Sequence, residues 1–269
     1  KRQRRDMDSW ERFVSRVVNP RREVTVALVG KYTALADSYL SHLEAFTHAG
    51  AARECKVRIR FIDSDDLLKD DPEKLLGGVH GVIIPGGFGI RGVEGKIVAA
   101  RYARENMIPF LGVCLGFQIA TIEFCRHVLG LEMASSTEFD PQTPDPVICI
   151  MGEQIGVTDM GATMRLGAQE VAIAEGSKAH ALYGTTRISE RHRHRYEVNP
   201  DYIRRIEDAG WRFTGRSECG TRMEIGELED HPYFVASQFH PEFKSRPGSP
   251  SPLHQGLVDA AIAYMEGHD

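Results

Sequence analysis

The chain has 269 residues, 42% hydrophobic and 26% charged, at a net charge of −5. This is the balance of an ordinary globular protein, long enough for one large α/β domain with appendages or for two small domains. No apolar run approaches the roughly 18 residues that span a bilayer, and no signal peptide opens the sequence, so a membrane protein is excluded as a reading.

Residues 1–22 hold eight Lys/Arg against three Asp/Glu, leaving 25 against 35 in the remainder, a net of −10. A basic arm points to nucleic acid or a membrane surface, but this one is short and has a single aromatic, Trp10. It reads better as a linker helix with a solvated face, so the chain divides into a linker over 1–22 and a domain over 23–269. A start at Lys1 rather than Met suggests a fragment of something longer.

From Glu23 the pattern is regular. VTVALVG (24–30) is an apolar, β-branched run closed by glycine, the mark of a buried strand. Asp37 is placed to cap a helix running to about Gly50, with Tyr39, Leu43 and Phe46 on one face. VRIRFID (57–63) alternates as a half-covered strand, PEKLLGG (72–78) reads as a short helix, and VHGVIIPGG (79–87) as a buried strand ending in glycines. A helix over about 93–105 leads to the strand IPFLGVC (108–114) and a further helix to about Leu129. Beyond it, Pro141, Pro144 and Pro146 break the chain. VAIAE, HRYEVNP and GWRFTGRS read as strands or loop-strand segments, with a helix near 200–209; PYFVASQFH (232–240) is a firm strand and LHQGLVDAAIAYM (253–265) a closing helix.

Apolar strands alternating with helices predict an α/β fold, a mostly parallel central sheet with helices on both faces. Ligands in such sheets sit outside the carboxyl ends of the strands. Gly86, Gly87 and Cys114 all fall there.

GVCLGFQIA (112–120) sets a thiol between Gly112 and Gly116, directly after an apolar strand. This is the spacing of a nucleophile elbow, a sharp strand-to-helix turn that exposes its central residue. A free thiol has a pKa of about 8.5, lowered by a helix N-terminus and by a neighbouring imidazole. The imidazole is expected at FHPEF (239–243): His240 and Glu242, two apart on an extended segment, point to the same side, with Pro241 stiffening the pair. Glu242 then holds one ring nitrogen while the other faces Cys114, the logic of a catalytic triad. Cys125, on the apolar face of the elbow helix, reads as core; Cys55, Cys149 and Cys219 have no elbow. Five scattered cysteines without a C-x-x-C argue against a disulfide framework or a zinc site and for a reducing, cytoplasmic setting.

G-x-C-x-G-x-Q followed by H-P-E resembles the class I (triad) glutamine amidotransferases. KYTALADSYLSHLEAF (31–46), IPGGFGIRGVEGKI (84–97), STEFDP (136–141), TMRLGAQ (163–169), RHRHRYEVN (191–199) and FHPEFKSRP (239–247) narrow the resemblance to the glutaminase domain of the CTP synthase family, over about residues 9–266. The resemblance implies a flavodoxin-like layering and a glutamyl thioester on Cys114, with His240 as base and acid and Glu242 as its orienter. It implies an oxyanion hole from the amides of Gly86 or Gly87 and of Leu115. Glycine suits that role because no Cβ blocks a substrate's approach. Glutamine would be held by Gly87, Phe88, Leu115, Gly116, Phe117, Gln118, Glu138 and Arg195. Glu138 would take its α-ammonium and Arg195 its α-carboxylate.

The family further implies GTP as an allosteric activator, with Arg165, between Gly161 and Gly167, as the cation of a lid. It implies an N-terminal amidoligase domain that binds ATP, Mg2+ and UTP, and a homo-oligomeric full-length enzyme. No G-K-[ST] phosphate loop occurs in this sequence, so the chain is expected to hydrolyse glutamine without making CTP, using no metal or cofactor of its own. Phe117 stands where the family more often has methionine. A glutaminase serving another synthase is disfavoured by TMRLGAQ and RHRHRYEVN, and a non-catalytic assembly module by the intact Cys, His and Glu.

Overall fold

The computed structural model describes residues 7–150 and 164–268. A helix, α1 (Asp8–Val18), precedes the domain and buries none of its residues. Then β1 (Arg22–Gly30), α2 (Leu40–Ala52), β2 (Cys55–Asp63), α3 (Pro72–Leu76), β3 (Gly81–Ile84), α4 (Val93–Glu105), β4 (Phe110–Val113) and α5 (Leu115–His127) follow in the alternation read from the sequence. Asp37 does not cap α2. It lies in a 3-10 turn, Ala36–Tyr39, and Tyr39 takes the cap position without a side-chain bond.

The second half contains β5 (Ala134–Ser136), β6 (Asp145–Ile150), β7 (Arg165–Ile173), α6 (Lys178–Tyr183), β8 (Arg187–His194), β9 (Tyr196–Val198) and α7 (Pro200–Asp208), the last capped by Asn199 with Pro200 at its first position. It closes with β10 (Trp211–Ser217), β11 (Met223–Leu228), β12 (Phe234–Ser237) and α8 (Pro252–His268). Strands order as β2-β1-β3-β4-β12-β11-β10-β7-β8 in one sheet, and β5-β6-β9 form a small second one.

The core of the large sheet, β2-β1-β3-β4-β12, is parallel throughout. Beyond β12 every pairing is antiparallel, an extension the sequence did not reveal. Within the parallel part successive residues feed opposite layers. Val82, Ile84 and Phe110 pack with α4 and α5, whereas Ile83, Leu111 and Val113 pack with α2 and α8. Phe110 stacks on Phe234 at 4.3 Å across the β4–β12 boundary, within the layer packed against α4 and α5.

Register fixes where the site forms. β4 lies between β3 and β12, with Ile84 opposite Gly112 and Ser237 opposite Val113. Because all three strands run the same way, the segments that follow them, Pro85–Gly87, Cys114 and Phe239–Glu242, leave the sheet side by side.

Candidate active site

Cys114 is the hinge between β4 and α5. Its φ of 53° and ψ of −98° place a non-glycine residue in left-handed territory, a strained conformation that is held only when its surroundings fix it. The flanking glycines have a different reason. A Cβ on Gly116 would lie 2.1 Å from the Ile84 carbonyl oxygen, and one on Gly112 would lie 2.6 Å from the oxygen of Gly116. They let strand and helix close tightly around the thiol. The Cys114 amide donates to the Ser237 carbonyl at 2.7 Å, tying the elbow to β12.

His240 follows β12, and its amide donates to the Arg191 carbonyl at 2.8 Å. Its Nδ1 lies 2.8 Å from Glu242 Oε1. The expected extended segment is absent: Pro241–Lys244 is a 3-10 turn, and the pair meets because the chain folds back. Burial opposes charge on His240, but hydrogen bonds to the Cys114 thiol and to Glu242, with their charges, prevail and raise it to about 10. Glu242 is buried, which would raise it, yet His42, His240 and His254 outweigh that and hold it near 2.

These groups border a cleft of about 180 Å3, walled by Gly86, Gly87 and Phe88 on one side and by Cys114, Arg193 and His240 on the other. A Cβ on Gly86 would lie 2.8 Å from His240 Cε1 and 3.6 Å from Cys114 Cβ. Only a glycine lets the backbone come this near the reacting groups. Leu115 opens α5, so its amide has no partner within the helix and sits beside the thiol. The structure thus brings together Cys114, His240, Glu242, Gly86, Gly87, Leu115 and Phe88.

Other expected glutamine contacts are placed differently. Phe117 is fully buried and meets Phe213 edge-on at 6.3 Å, a core side chain rather than a wall of the cleft. Gly116 is pressed against β3, as its contact with Ile84 requires. Gln118 donates to the Tyr196 carbonyl and to Gln238 Oε1, both at 3.2 Å, and braces the elbow from behind. Glu138 accepts the Gly89 amide at 2.8 Å, fixing the glycine loop. Glu138 and Arg195 share a neighbourhood at Tyr196, whose phenol is raised by burial and Glu138 and lowered by Arg195.

Arg165 departs most from expectation. It opens β7 and is nearly buried, 2.7 Å from Glu224 and 3.3 Å from Glu197. Glu224 also takes His192 Nε2 at 2.9 Å. A side chain locked in this network is a core cation, so the lid role does not fit it. Gly161 lies outside the described residues. Burial, then Glu224, push Glu197 up to about 8. His192, His194 and Glu224 have ligand atoms close enough together for a metal ion, but the Arg165 guanidinium, 2.7 Å from Glu224, already supplies the positive charge.

Sequence reasoning missed Gln238, His42 and His254. Gln238 Nε2 lies 3.5 Å from the Cys114 carbonyl and 3.8 Å from its Sγ. Its position two residues before His240, directly after β12, was the available signal. Among the described residues no helix is long and apolar enough to cross a membrane.

Residues 34–260 match the family model for Glutamine amidotransferase class-I. The chain is 51% identical over 260 residues to the CTP synthase of Syntrophus aciditrophicus, covering 97% of this chain and 48% of that protein. It is 54% identical over 255 residues to the CTP synthase of Archaeoglobus fulgidus, covering 95% and 48%. It therefore spans about half the length of the curated relatives it matches. Among solved structures it is similar to the glutaminase domain of Trypanosoma brucei CTPS with bound acivicin, at 40% identity and a TM-score of 0.84, over 89% of this chain and 94% of that one. A putative GMP synthase component from Thermoplasma acidophilum, at 16% identity and a TM-score of 0.56 over 91% and 97%, shares the fold alone. With an elbow cysteine, a histidine–glutamate pair and a glycine loop at the carboxyl ends of adjacent central strands, and with these relatives, the chain belongs to the class-I glutamine amidotransferase family.

Proposed function

We propose that this chain is the glutaminase half of a CTP synthase, releasing ammonia from glutamine for an amidoligase that converts UTP to CTP with ATP and Mg2+. The observation that carries the reading is Cys114, strained at the head of α5 and facing a histidine held by a buried carboxylate. Cys114 gives its thiol proton to His240, and its sulfur attacks the side-chain amide carbon of glutamine. Amides of Gly86 or Gly87 and of Leu115 receive the developing oxyanion. His240 hands a proton to the amide nitrogen, the C–N bond breaks, and ammonia leaves a glutamyl thioester. Water then attacks the thioester carbon as His240 takes its proton; the C–S bond breaks, His240 returns the proton to the departing sulfur, and glutamate and the thiol are released. Glu242 keeps the imidazole oriented throughout.

Glu138, which holds the Gly89 amide of the glycine loop, and Arg195, opposite in charge and beside the same Tyr196, are suited to the two ends of the amino acid. Activation by GTP and assembly into a homo-oligomer belong to the same reading, supported by kinship with the synthases; Arg165 is not the residue we assign to GTP. The test is glutamate formation from glutamine and acivicin labelling, each measured in the wild type and in Cys114→Ala. Turnover lost in the variant, with label confined to Cys114, is the expected result. Turnover that survives the substitution, or label on Cys55 or Cys125, would end the proposal.

A further inference from the structure

Behind the triad lies a second line of buried polar groups. His42 of α2 and His254 of α8 are 4% and 0% exposed. His42 Nε2 lies 3.6 Å from Glu242 Oε1, His42 Nδ1 is 3.0 Å from His254 Nε2, and His254 Nδ1 is 2.8 Å from Ser251 Oγ. Glu242 Oε1 thus faces two imidazoles, while Oε2 is buried with no hydrogen-bond partner. A carboxylate this enclosed is costly to keep ionised unless donors surround it.

The contacts decide which nitrogens carry protons. If His42 donated to His254, its Nε2 would turn a lone pair toward the carboxylate. The favourable arrangement runs the other way: the Ser251 hydroxyl donates to His254, His254 Nε2–H donates to His42, and His42 Nε2–H points at Glu242. Every dipole is then aligned on the carboxylate. Both rings stay neutral because burial pushes His42 down and, with His42 beside it, holds His254 near 3. Neutrality matters, since a cation at His42 would oppose the proton on His240.

We propose that His42 and His254 are positioning residues for the glutaminase reaction: a neutral, donor-aligned imidazole pair that keeps Glu242 ionised and so keeps His240 a base. The proposal rests on the triad assigned above. Other titratable groups face Glu242 as well. Glu190 of β8 accepts from Tyr183 at the end of α6, 3.1 Å away, and Lys244 lies on the same turn as Glu242. Glu190 is held near 7, by burial first, with Lys244 and Tyr183 opposing and Glu242 adding to the rise. None of these three is placed to give Oε1 a neutral N–H.

The experiment follows alkylation of Cys114 by iodoacetamide against pH, read on the Cys114 peptide by mass spectrometry, with glutamine kcat/KM alongside. In His42→Leu the acidic limb of both profiles should move up by about half to one pH unit, because Glu242 loses the aligned dipole of an N–H 3.6 Å away. His42→Gln should restore the limb, since its amide can accept from His254 and donate to Glu242. His254→Phe keeps a ring against Phe46, now 5.1 Å from His254, and withdraws the donor that sets the His42 tautomer. It should shift the limb the same way, and it serves if His42→Leu does not fold. An unmoved limb in both apolar variants, or an equal shift in Gln and Leu, means that the rings only fill space and overturns the proposal. A His240→Ala control whose Cys114 reacts as in the wild type would instead show that the triad itself is wrong, and the proposal falls with it.

Discussion

His240 and Glu242 are joined at 2.8 Å across a proline that turns the chain back on itself. Glu242 therefore orients the ring that faces Cys114 while remaining 2% exposed at its side chain. Substituting the charge separates orientation from electrostatics. Glu242→Gln should lower kcat about 100-fold, the size of one charged hydrogen bond, whereas His240→Ala should lose about 10,000-fold. Steady-state kinetics on both variants checks the order, and equal losses would contradict it.

The same carboxylate leaves a mark on stability. Glu242 is held near 2 in the folded chain, below its ordinary 4.5. A depressed carboxylate stabilises the fold above the unfolded value, and that contribution is lost as pH falls from about 4.5 toward 2. The difference in unfolding free energy between wild type and Glu242→Gln should therefore shrink across this window. A difference independent of pH would show that Glu242 is not ionised in the fold.

Cys114 holds φ at 53° with a side chain that disfavours it. Cys114→Gly should relieve that strain and be about 1 kcal/mol more stable than Cys114→Ala, as read by urea denaturation. Both variants are inactive, so stability is the informative measurement. Equal midpoints would mean that the elbow stores no strain.

Gly116 answers to space rather than to φ. A methyl group there meets the Ile84 carbonyl at 2.1 Å, and neither strand nor helix can retreat without moving the nucleophile. Gly116→Ala should cost about 3 kcal/mol or more, the upper range for overpacking, and should slow labelling of Cys114. A stable variant with normal labelling would refute the account.

Arg165 bridges Glu224 and Glu197 inside the antiparallel half of the sheet. Arg165→Met should lose about 3 kcal/mol, because Glu224 is left charged with His192 as its remaining partner. Glu224→Gln in the same chain should recover part of it. If Arg165 were instead a surface cation acting on a nucleotide, the substitution would leave the denaturation midpoint unchanged.

The parallel half of the fold and the elbow are legible in the sequence alone. VTVALVG, GVIIPGG and IPFLGVC are apolar runs whose burial is written in composition, and the G-x-C-x-G spacing is dictated by local sterics at one turn. H-P-E was legible as a pair, although its turn was not. What depends on partners far along the chain emerged only on folding. β8, ERHRH in its polar stretch, looks like a solvated cationic segment, yet His192 and His194 alternate inward beneath it. Glu224, 32 residues on, and Arg165 are what make that burial affordable. His42 and His254 lie 212 residues apart and read as ordinary surface histidines until α2 and α8 pack side by side. Periodicity reports burial only for side chains that water rejects. A polar side chain that trades water for a distant partner has the same pattern as an exposed one, so only the assembled structure tells them apart.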